Sequence, residues 1–148
     1  MKTHRAYLSL GEPEAGWLPT TFRHQDFELE FNASNVPTDP IEQLSSTLIQ
    51  LSRGSNYSDR VVWHLEPFCY YFQLQKSGET YRLLISESAT YEGSDTLIKE
   101  IEGDFDSLIL PLYRGLKKFW SQGTTLPGWA APDATRIQIL TDLIKGKK

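Results

Sequence analysis

Three side chains of types that support catalysis or metal binding fall close together in the segment His64-Leu65-Glu66-Pro67-Phe68-Cys69. Zinc deaminases carry a similar start, His-x-Glu followed later by Pro-Cys-x-x-Cys, in which the histidine and both cysteines bind zinc and the glutamate transfers protons. Cys69 is the only cysteine of this chain. A structural zinc site needs about four ligands, and this segment offers fewer. The pattern therefore favours a strand end, with His64 and Glu66 on its more exposed face and Cys69 packed as a small apolar residue.

The other candidates for catalysis are scattered along the chain. His4, His24 and His64 lie on separate segments, so a metal centre would need the fold to bring them together with a carboxylate. There is no Gly-x-Ser-x-Gly elbow, and the glycines are isolated turn residues rather than parts of a phosphate-binding loop. A triad assembled from distant segments leaves no local motif, so an enzyme stays an alternative. The sequence predicts no catalytic residue, no metal site and no cofactor.

The chain has the length of one ordinary domain, 148 residues, and 12% of its residues are aromatic. A chain of this size buries about 70% of the surface of its unfolded form, so its core needs no disulfide or metal. A single cysteine fits a reducing compartment, and the N terminus lacks the apolar segment of a secretory signal. No window approaches the roughly 20 apolar residues that span a bilayer. We expect one cytoplasmic domain over residues 1–148, without a membrane segment.

The charge of the chain is unevenly distributed. Its net value of −4 argues against a general nucleic-acid binder, because such binding depends on Lys and Arg neutralising phosphates. Acidic residues are concentrated in one stretch that contains a single base, Lys99. These acids are Glu87, Glu92, Asp95, Glu100, Glu102, Asp104 and Asp106. They suit a docking face for a basic partner, or a solvated edge that charge keeps soluble.

The clearest local element is a helix after Asp39. Apolar residues recur at helical spacing on one side, at Ile41, Leu44, Leu48 and Leu51. Asp39 is a suitable N-cap, Pro40 falls at the first helical position, Glu42 falls at the third as in a capping box, and Gly54 is a suitable left-handed stop. We predict a helix that packs one face on a sheet.

Strand patterns surround this helix. Alternating acidic and apolar residues predict a half-buried strand over Asp26–Phe31, and Trp17-Leu18-Pro19 is expected to be a loop or a short irregular edge. The other strand candidates are Ala6–Leu10, Arg60–Glu66, Phe68–Gln75, Thr80–Glu87 and Thr96–Glu102, the last of which also suits a short helix. The simplest arrangement is a meander. The predicted fold class is α+β, an antiparallel sheet of about five to six strands with two to three helices packed on it.

Two further helices are predicted near the C terminus. The first begins near Asp104, where Pro111 predicts either a kink or a start nearer Ser107. The second begins at about Asp133, with Ile137, Leu140 and Ile144 facing inward. A loop at 121–131 separates them, and a lysine tail follows the last helix.

The chain has four tryptophans, whose side chains suit either the core or a protein interface. Core filling is the ordinary role of such large rings. Trp17 and Trp129 lie in segments rich in Gly and Pro, and loops lie on the surface, where aromatic residues dominate protein–protein binding energy. These two are therefore the better interface candidates.

One group of motifs resembles a known family. It consists of Asn35-Val36-Pro37-Thr38-Asp39-Pro40-Ile41, then Leu44, Leu48, Leu51 and Gly54, then Val61-Val62-Trp63 and Glu66-Pro67 before Tyr70. This pattern is similar to small bacterial immunity proteins of polymorphic toxin systems, including contact-dependent growth inhibition, over roughly Trp17 to Trp120. The resemblance implies a cytoplasmic, non-enzymatic protein that binds one cognate toxin domain and blocks its active site. Delivered toxins of this kind are often basic nucleases, which an acidic inhibitor binds rapidly through electrostatic steering.

The leading hypothesis is therefore a toxin-neutralising protein whose binding surface is acidic and partly aromatic. The predicted contact residues are Glu87, Glu92, Asp95, Glu100, Glu102, Trp17 and Trp129. One alternative is an enzyme or ligand-binding domain with a pocket between sheet and helices, lined by Trp63, Tyr70 and Tyr81. Another is a homo-oligomeric accessory protein that pairs through a strand edge or its aromatic loops. The oligomeric state is left open.

Overall fold

The computed structural model describes residues 4–121, 129 and 133–146. Seven strands form one antiparallel sheet, and their order across the sheet follows their order in the chain. The strands are β1 (Tyr7–Leu10), β2 (Trp17–His24), β3 (Phe27–Ser34), β4 (Val61–His64), β5 (Cys69–Ser77), β6 (Thr80–Ser88) and β7 (Asp95–Gly103). The α+β class and the meander are confirmed.

The predicted number of about five to six strands is wrong by at least one. The difference lies at Trp17-Leu18-Pro19, which is the start of the eight-residue strand β2 and not a loop. Proline is rare inside a sheet because it lacks a donor. Here the Pro19 carbonyl accepts from the Gly11 amide at 2.8 Å, so the Pro19 nitrogen also faces the β1 side. Because β1 ends at Leu10, the N–H that Pro19 lacks would lie just beyond the last residue pair of β1 and β2. Pro19 is therefore compatible with strand β2.

The first helix, α1 (Pro40–Ser52), begins and ends as predicted. The amide of Ile41 donates to Asp39 Oδ1 at 2.9 Å, which caps the helix, and Pro40 occupies its first turn. Gly54 follows with a φ of +102°, a conformation that glycine adopts without a steric penalty. The predicted stripe of Ile41, Leu44, Leu48 and Leu51 is buried.

The later helices also follow their predicted boundaries. Asp104 caps a π-helical turn, Phe105–Ile109, through a reciprocal pair of hydrogen bonds with Ser107. The α-helical part, α2 (Leu110–Trp120), starts only after that turn, which places Pro111 in its first turn, where no kink is needed. Asp133 caps α3 (Ala134–Lys145), in which Leu140 and Ile144 are buried, whereas Ile137 stays partly exposed.

The sheet has one face packed against helices and one open face. The helix-facing side carries Leu8, Phe22, Trp63, Phe72 and Leu83, which share one core with α1 and α2. On the open face, Val62, Cys69 and Tyr71 form a second, smaller buried cluster. No helix of the described residues is long and apolar enough to cross a membrane.

One joint of the sheet is narrow. Strands β3 and β4 pair only through Ser34 and His64, and α1 lies between them in the chain. By contrast, β2 and β3 pair along eight residues, and β5 and β6 along nine. The sheet therefore consists of two broad meanders, β1 to β3 and β4 to β7, joined at one residue pair.

Candidate protein interface

Strand β7 forms one edge of the sheet and pairs with β6 alone. Its pairing contains a bulge, because Lys99 lies opposite Ile85 whereas Leu97 lies opposite Ser86, which leaves Ile98 as the extra residue. An extra residue reverses the alternation of side chains along a strand. Consequently four side chains share the open face of the sheet. We define the β7 surface by these residues, Asp95, Leu97, Glu100 and Glu102.

Arginines neutralise part of the charge of the β7 surface. Arg82 Nη2 lies 2.6 Å from Glu102 Oε1, and Arg82 Nε lies 4.0 Å from Glu100 Oε2. Arg60 Nη1 lies 3.7 Å from Asp95 Oδ1, and its guanidinium stacks 3.9 Å above the Tyr71 ring. Because these side chains are half exposed, water and salt screen the pairs, so they contribute little to stability. The pairs fix the positions of the three carboxylates and leave the group one negative charge in excess.

The other two predicted acids lie elsewhere. Glu87 pairs with Tyr70 across β5 and β6, on the helix-facing side of the sheet. Burial, and secondarily the charge of Glu87, raise the pKa of Tyr70. Glu92 lies in the turn between β6 and β7 with a φ of +65°, and its amide donates to the Tyr71 hydroxyl at 3.1 Å. The structure therefore brings Asp95, Glu100 and Glu102 together, places Glu92 in the adjoining turn and separates Glu87.

The two tryptophans predicted as contacts occupy different environments. Trp17 is 37% exposed and pairs with Ser34 on the open face, the same face as the β7 surface. Five strand spacings separate β2 from β7, about 24 Å along the sheet. Trp129 is 8% exposed and belongs to the main core. Most of the predicted loop around it, and the lysines Lys147 and Lys148, lie outside the described residues.

His64 lies on the open face of the sheet, the face predicted to be the more exposed one, but the residue itself is buried. Only 3% of the residue is exposed, since the turn after β6 folds over it and sets the Tyr91 ring 4.9 Å from the imidazole. His64 Nε2 lies 2.6 Å from Thr38 Oγ1. Cys69, directly opposite on β5, is fully buried as predicted. Both side chains are closed to solvent, so this pair packs the sheet and is inaccessible to a substrate.

The burial of His64 predicts a loss of stability at mildly acidic pH. Burial lowers the pKa of His64 below 6.5, an effect that the Glu66 charge opposes in part. The unfolded chain therefore takes up the proton more readily than the folded chain, so stability is complete above pH 6.5 and falls as the pH decreases below it. Thermal unfolding at about pH 7.5 and about pH 5.5 measures this loss.

The His64→Gln variant is the control for this prediction. Its melting temperature should depend less on pH over the same interval, with a remainder due to His24, whose pKa burial also lowers. An unchanged pH dependence in the variant would contradict the assignment to His64.

The alternative ligand pocket is not formed by its three predicted residues. Trp63 is fully buried, and its ring packs edge to face on Phe31 and Phe72. Tyr81 lines a groove of about 350 Å³ together with Lys76, Glu79, Asp104, Phe105 and Asp106, a set without Trp63 and Tyr70. Within the described parts of the chain, no three His, Cys, Asp or Glu side chains are placed to hold a metal ion.

Comparison with known proteins gives one structural similarity. No family model matches the chain, and no curated protein matches it. A solved structure described as "CdiA-CT/CdiI toxin and immunity complex from Enterobacter cloacae" contains a chain with 17% sequence identity and a TM-score of 0.46. The match covers 78% of this chain and 99% of that chain.

Proposed function

We propose that this protein is a cytoplasmic immunity protein, which binds a cognate toxin domain and neutralises it without catalysing a reaction. The observation that carries the proposal is the β7 surface, where an apolar side chain, Leu97, is 52% exposed between carboxylates at a sheet edge. The sequence motifs around Asn35–Ile41 and Val61–Trp63 support the class of protein, since they resemble immunity proteins.

The composition of the β7 surface suits a protein partner. Interfaces generally combine an apolar centre, which excludes water, with a charged rim that selects the partner. Leu97 provides such a centre, and Asp95 and Glu100 flank it. The ion pairs of Arg60 with Asp95 and of Arg82 with Glu102 are half exposed. The carboxylates in these pairs therefore remain available to Lys and Arg side chains of a partner. A basic nuclease domain, with its positive active-site cleft, is the partner that this charge favours.

Further residues would extend this surface. Glu92 adjoins it in the turn before β7, whereas Glu87 lies on the neighbouring strand β6, faces the helices and is left out of the proposed surface. Trp17 would act as a second, separate contact on the open face. Since Trp129 is only 8% exposed, we assign the aromatic contact to Trp17 alone.

The function is tested by co-expression with the toxin domain encoded immediately upstream of this protein. The toxin domain alone should arrest growth, and this protein should restore growth and co-purify with the toxin in equal amounts. Absence of an upstream toxin domain, or failure to restore growth, would overturn the proposed function.

Charge reversal tests the proposed surface. Glu100→Lys combined with Glu102→Lys should slow association with that toxin about tenfold at low salt and much less at high salt, because steering is screened. Stopped-flow kinetics measure the rate. Glu28→Lys combined with Glu30→Lys is the matched control, since both residues are exposed on the open face of β3 and carry the same charge change. Equal slowing by both double variants would assign the effect to net charge and refute the site.

A further inference from the structure

The direction of the backbone groups of β7 follows from the adjoining hairpin. β5 and β6 are joined by two residues, Gly78 and Glu79, so Ser77 and Thr80 form the hydrogen-bonded pair that closes the hairpin. Hydrogen-bonding direction then alternates along both strands. In agreement, the Lys76 amide donates to the Asn56 carbonyl at 2.8 Å, on the side of β5 away from β6.

The same alternation continues into β7. Ile85 directs its backbone N–H and C=O towards β7, where it pairs with Lys99. Glu100 and Glu102 therefore direct their own N–H and C=O away from the sheet. Beyond the bulge, Thr96 pairs with Glu87, which also faces β7, so its neighbour Leu97 is directed outward as well. Among residues 4–121, 129 and 133–146, no backbone group bonds to this outer side of β7. The strand thus presents an open hydrogen-bonding edge.

Open edges usually carry features that prevent pairing, such as lysines directed outward. The one lysine of β7, Lys99, instead crosses the helix-facing side of the sheet, with its Nζ 5.8 Å from the Phe27 ring centre. The exposed apolar side chain of this edge strand is Leu97, which is 52% exposed and lies among the carboxylates. The bulge and the carboxylates limit non-specific pairing, while the leucine and the unpaired backbone favour a specific strand.

We propose that the outer edge of β7 binds an extended segment of the partner, rich in Lys and Arg, which adds to the sheet as an eighth strand over Leu97–Glu102. The proposal rests on the function proposed above and specifies its binding mode. Backbone hydrogen bonds would supply affinity, and side chains opposite Leu97 and the carboxylates would supply specificity.

A basic partner strand fits this edge better than a second copy of the chain does. Two β7 strands paired antiparallel would bring Asp95, Glu100 and Glu102 of one copy beside the same carboxylates of the other. Like charges opposite one another destabilise strand pairs. A segment with Lys or Arg at alternate positions would instead place its cations beside these acids.

A proline substitution distinguishes strand addition from contact through side chains. Glu100→Pro removes an outward N–H but no bond to β6, and proline is tolerated on edge strands. Glu100→Gln removes the same charge and keeps the N–H. Affinity for the upstream-encoded toxin domain, measured by calorimetry, should be about 10- to 100-fold weaker for Glu100→Pro than for Glu100→Gln. Melting temperatures of the two variants show whether both remain folded.

A synthetic strand tests the edge without the toxin. The capped octapeptide Lys-Val-Lys-Val-Lys-Val-Lys-Val should shift the amide NMR signals of Leu97, Glu100 and Glu102 and slow their hydrogen exchange. The matched peptide with proline in place of valine carries the same charge, forms no strand and should leave these signals unchanged. Glu100→Pro should abolish the response to the valine peptide.

The two measurements separate the possible failures. Peptide binding at β7 without growth rescue would overturn the immunity function and keep the strand-accepting edge. Growth rescue with equal toxin affinity for Glu100→Pro and Glu100→Gln would keep the function and overturn strand addition. Dimerisation through β7, detected by sedimentation and abolished by Glu100→Pro, would replace the basic partner by a second copy and overturn the proposal.

Discussion

Replacing Trp63 by alanine is expected to destabilise the protein by about 3–5 kcal/mol. Its side chain is fully buried at the centre of the sheet, with ring centroids 5.6 Å from Phe31 and 5.5 Å from Phe72. These two partners belong to different meanders, so alanine would leave a cavity at the place where the two halves of the sheet share a core. Urea unfolding followed by tyrosine fluorescence and circular dichroism measures the change.

Trp17→Ala and Trp63→Phe are the controls for this prediction. Trp17 is 37% exposed, so its replacement should cost less than about 1 kcal/mol. Trp63→Phe should cost less than alanine, because it keeps most of the ring and removes an indole N–H that has no hydrogen-bond partner among the described residues. Equal losses for the alanine variants at positions 17 and 63 would contradict the account of the core.

Gly115→Val is expected to destabilise the protein by about 2–3 kcal/mol. The loss is expected even though valine has a higher helix propensity than the glycine that it replaces. A Cβ atom at this position would lie 2.8 Å from the Leu8 carbonyl oxygen and 3.0 Å from Leu8 Cγ. The oxygen belongs to the backbone of β1, which a hydrogen bond from the Ala6 amide to the Ser107 carbonyl, 2.8 Å long, holds in place. Since α2 and β1 approach closely only at a residue without a side chain, either the helix or the strand must shift.

Gly146→Val provides the matched comparison for Gly115. Gly146 follows α3 with a helical φ of −68°, and an added Cβ would lie no closer than 3.6 Å to its neighbours. The free energy of unfolding should change by less than about 0.5 kcal/mol. If both valine variants lose the same stability, backbone propensity rather than the contact with Leu8 sets the cost.

The parts of the fold that were predictable are those whose signals are local. The boundaries of α1 follow from Asp39, Pro40 and Gly54, each of which acts on its own turn of the helix. Strand β2 was not predictable because Pro19 argues against a strand unless the end of β1 is already known. Likewise, the burial of His64 depends on Tyr91, a residue of a later turn, and no feature of the segment around His64 indicates that cover.

The candidate interface was predictable in composition and not in arrangement. The acidic stretch and its single lysine are visible in the sequence. That Asp95, Glu100 and Glu102 share one face depends on the bulge at Ile98, and simple alternation would separate Asp95 from the two glutamates. Their pairing with Arg60 and Arg82 follows from contacts across strands, which the order of charges along the chain does not contain.

The single residue pair between β3 and β4 has a consequence for folding kinetics. Within each meander, neighbouring strands are joined by short connections, so their pairing requires the closure of small loops only. The pair of Ser34 with His64 closes a much longer loop that contains α1. Contacts distant in sequence are entropically costly to form early, whereas local ones form fast. We therefore expect the two meanders to assemble first and α1, which packs against β4 and β5, to close the joint between them last.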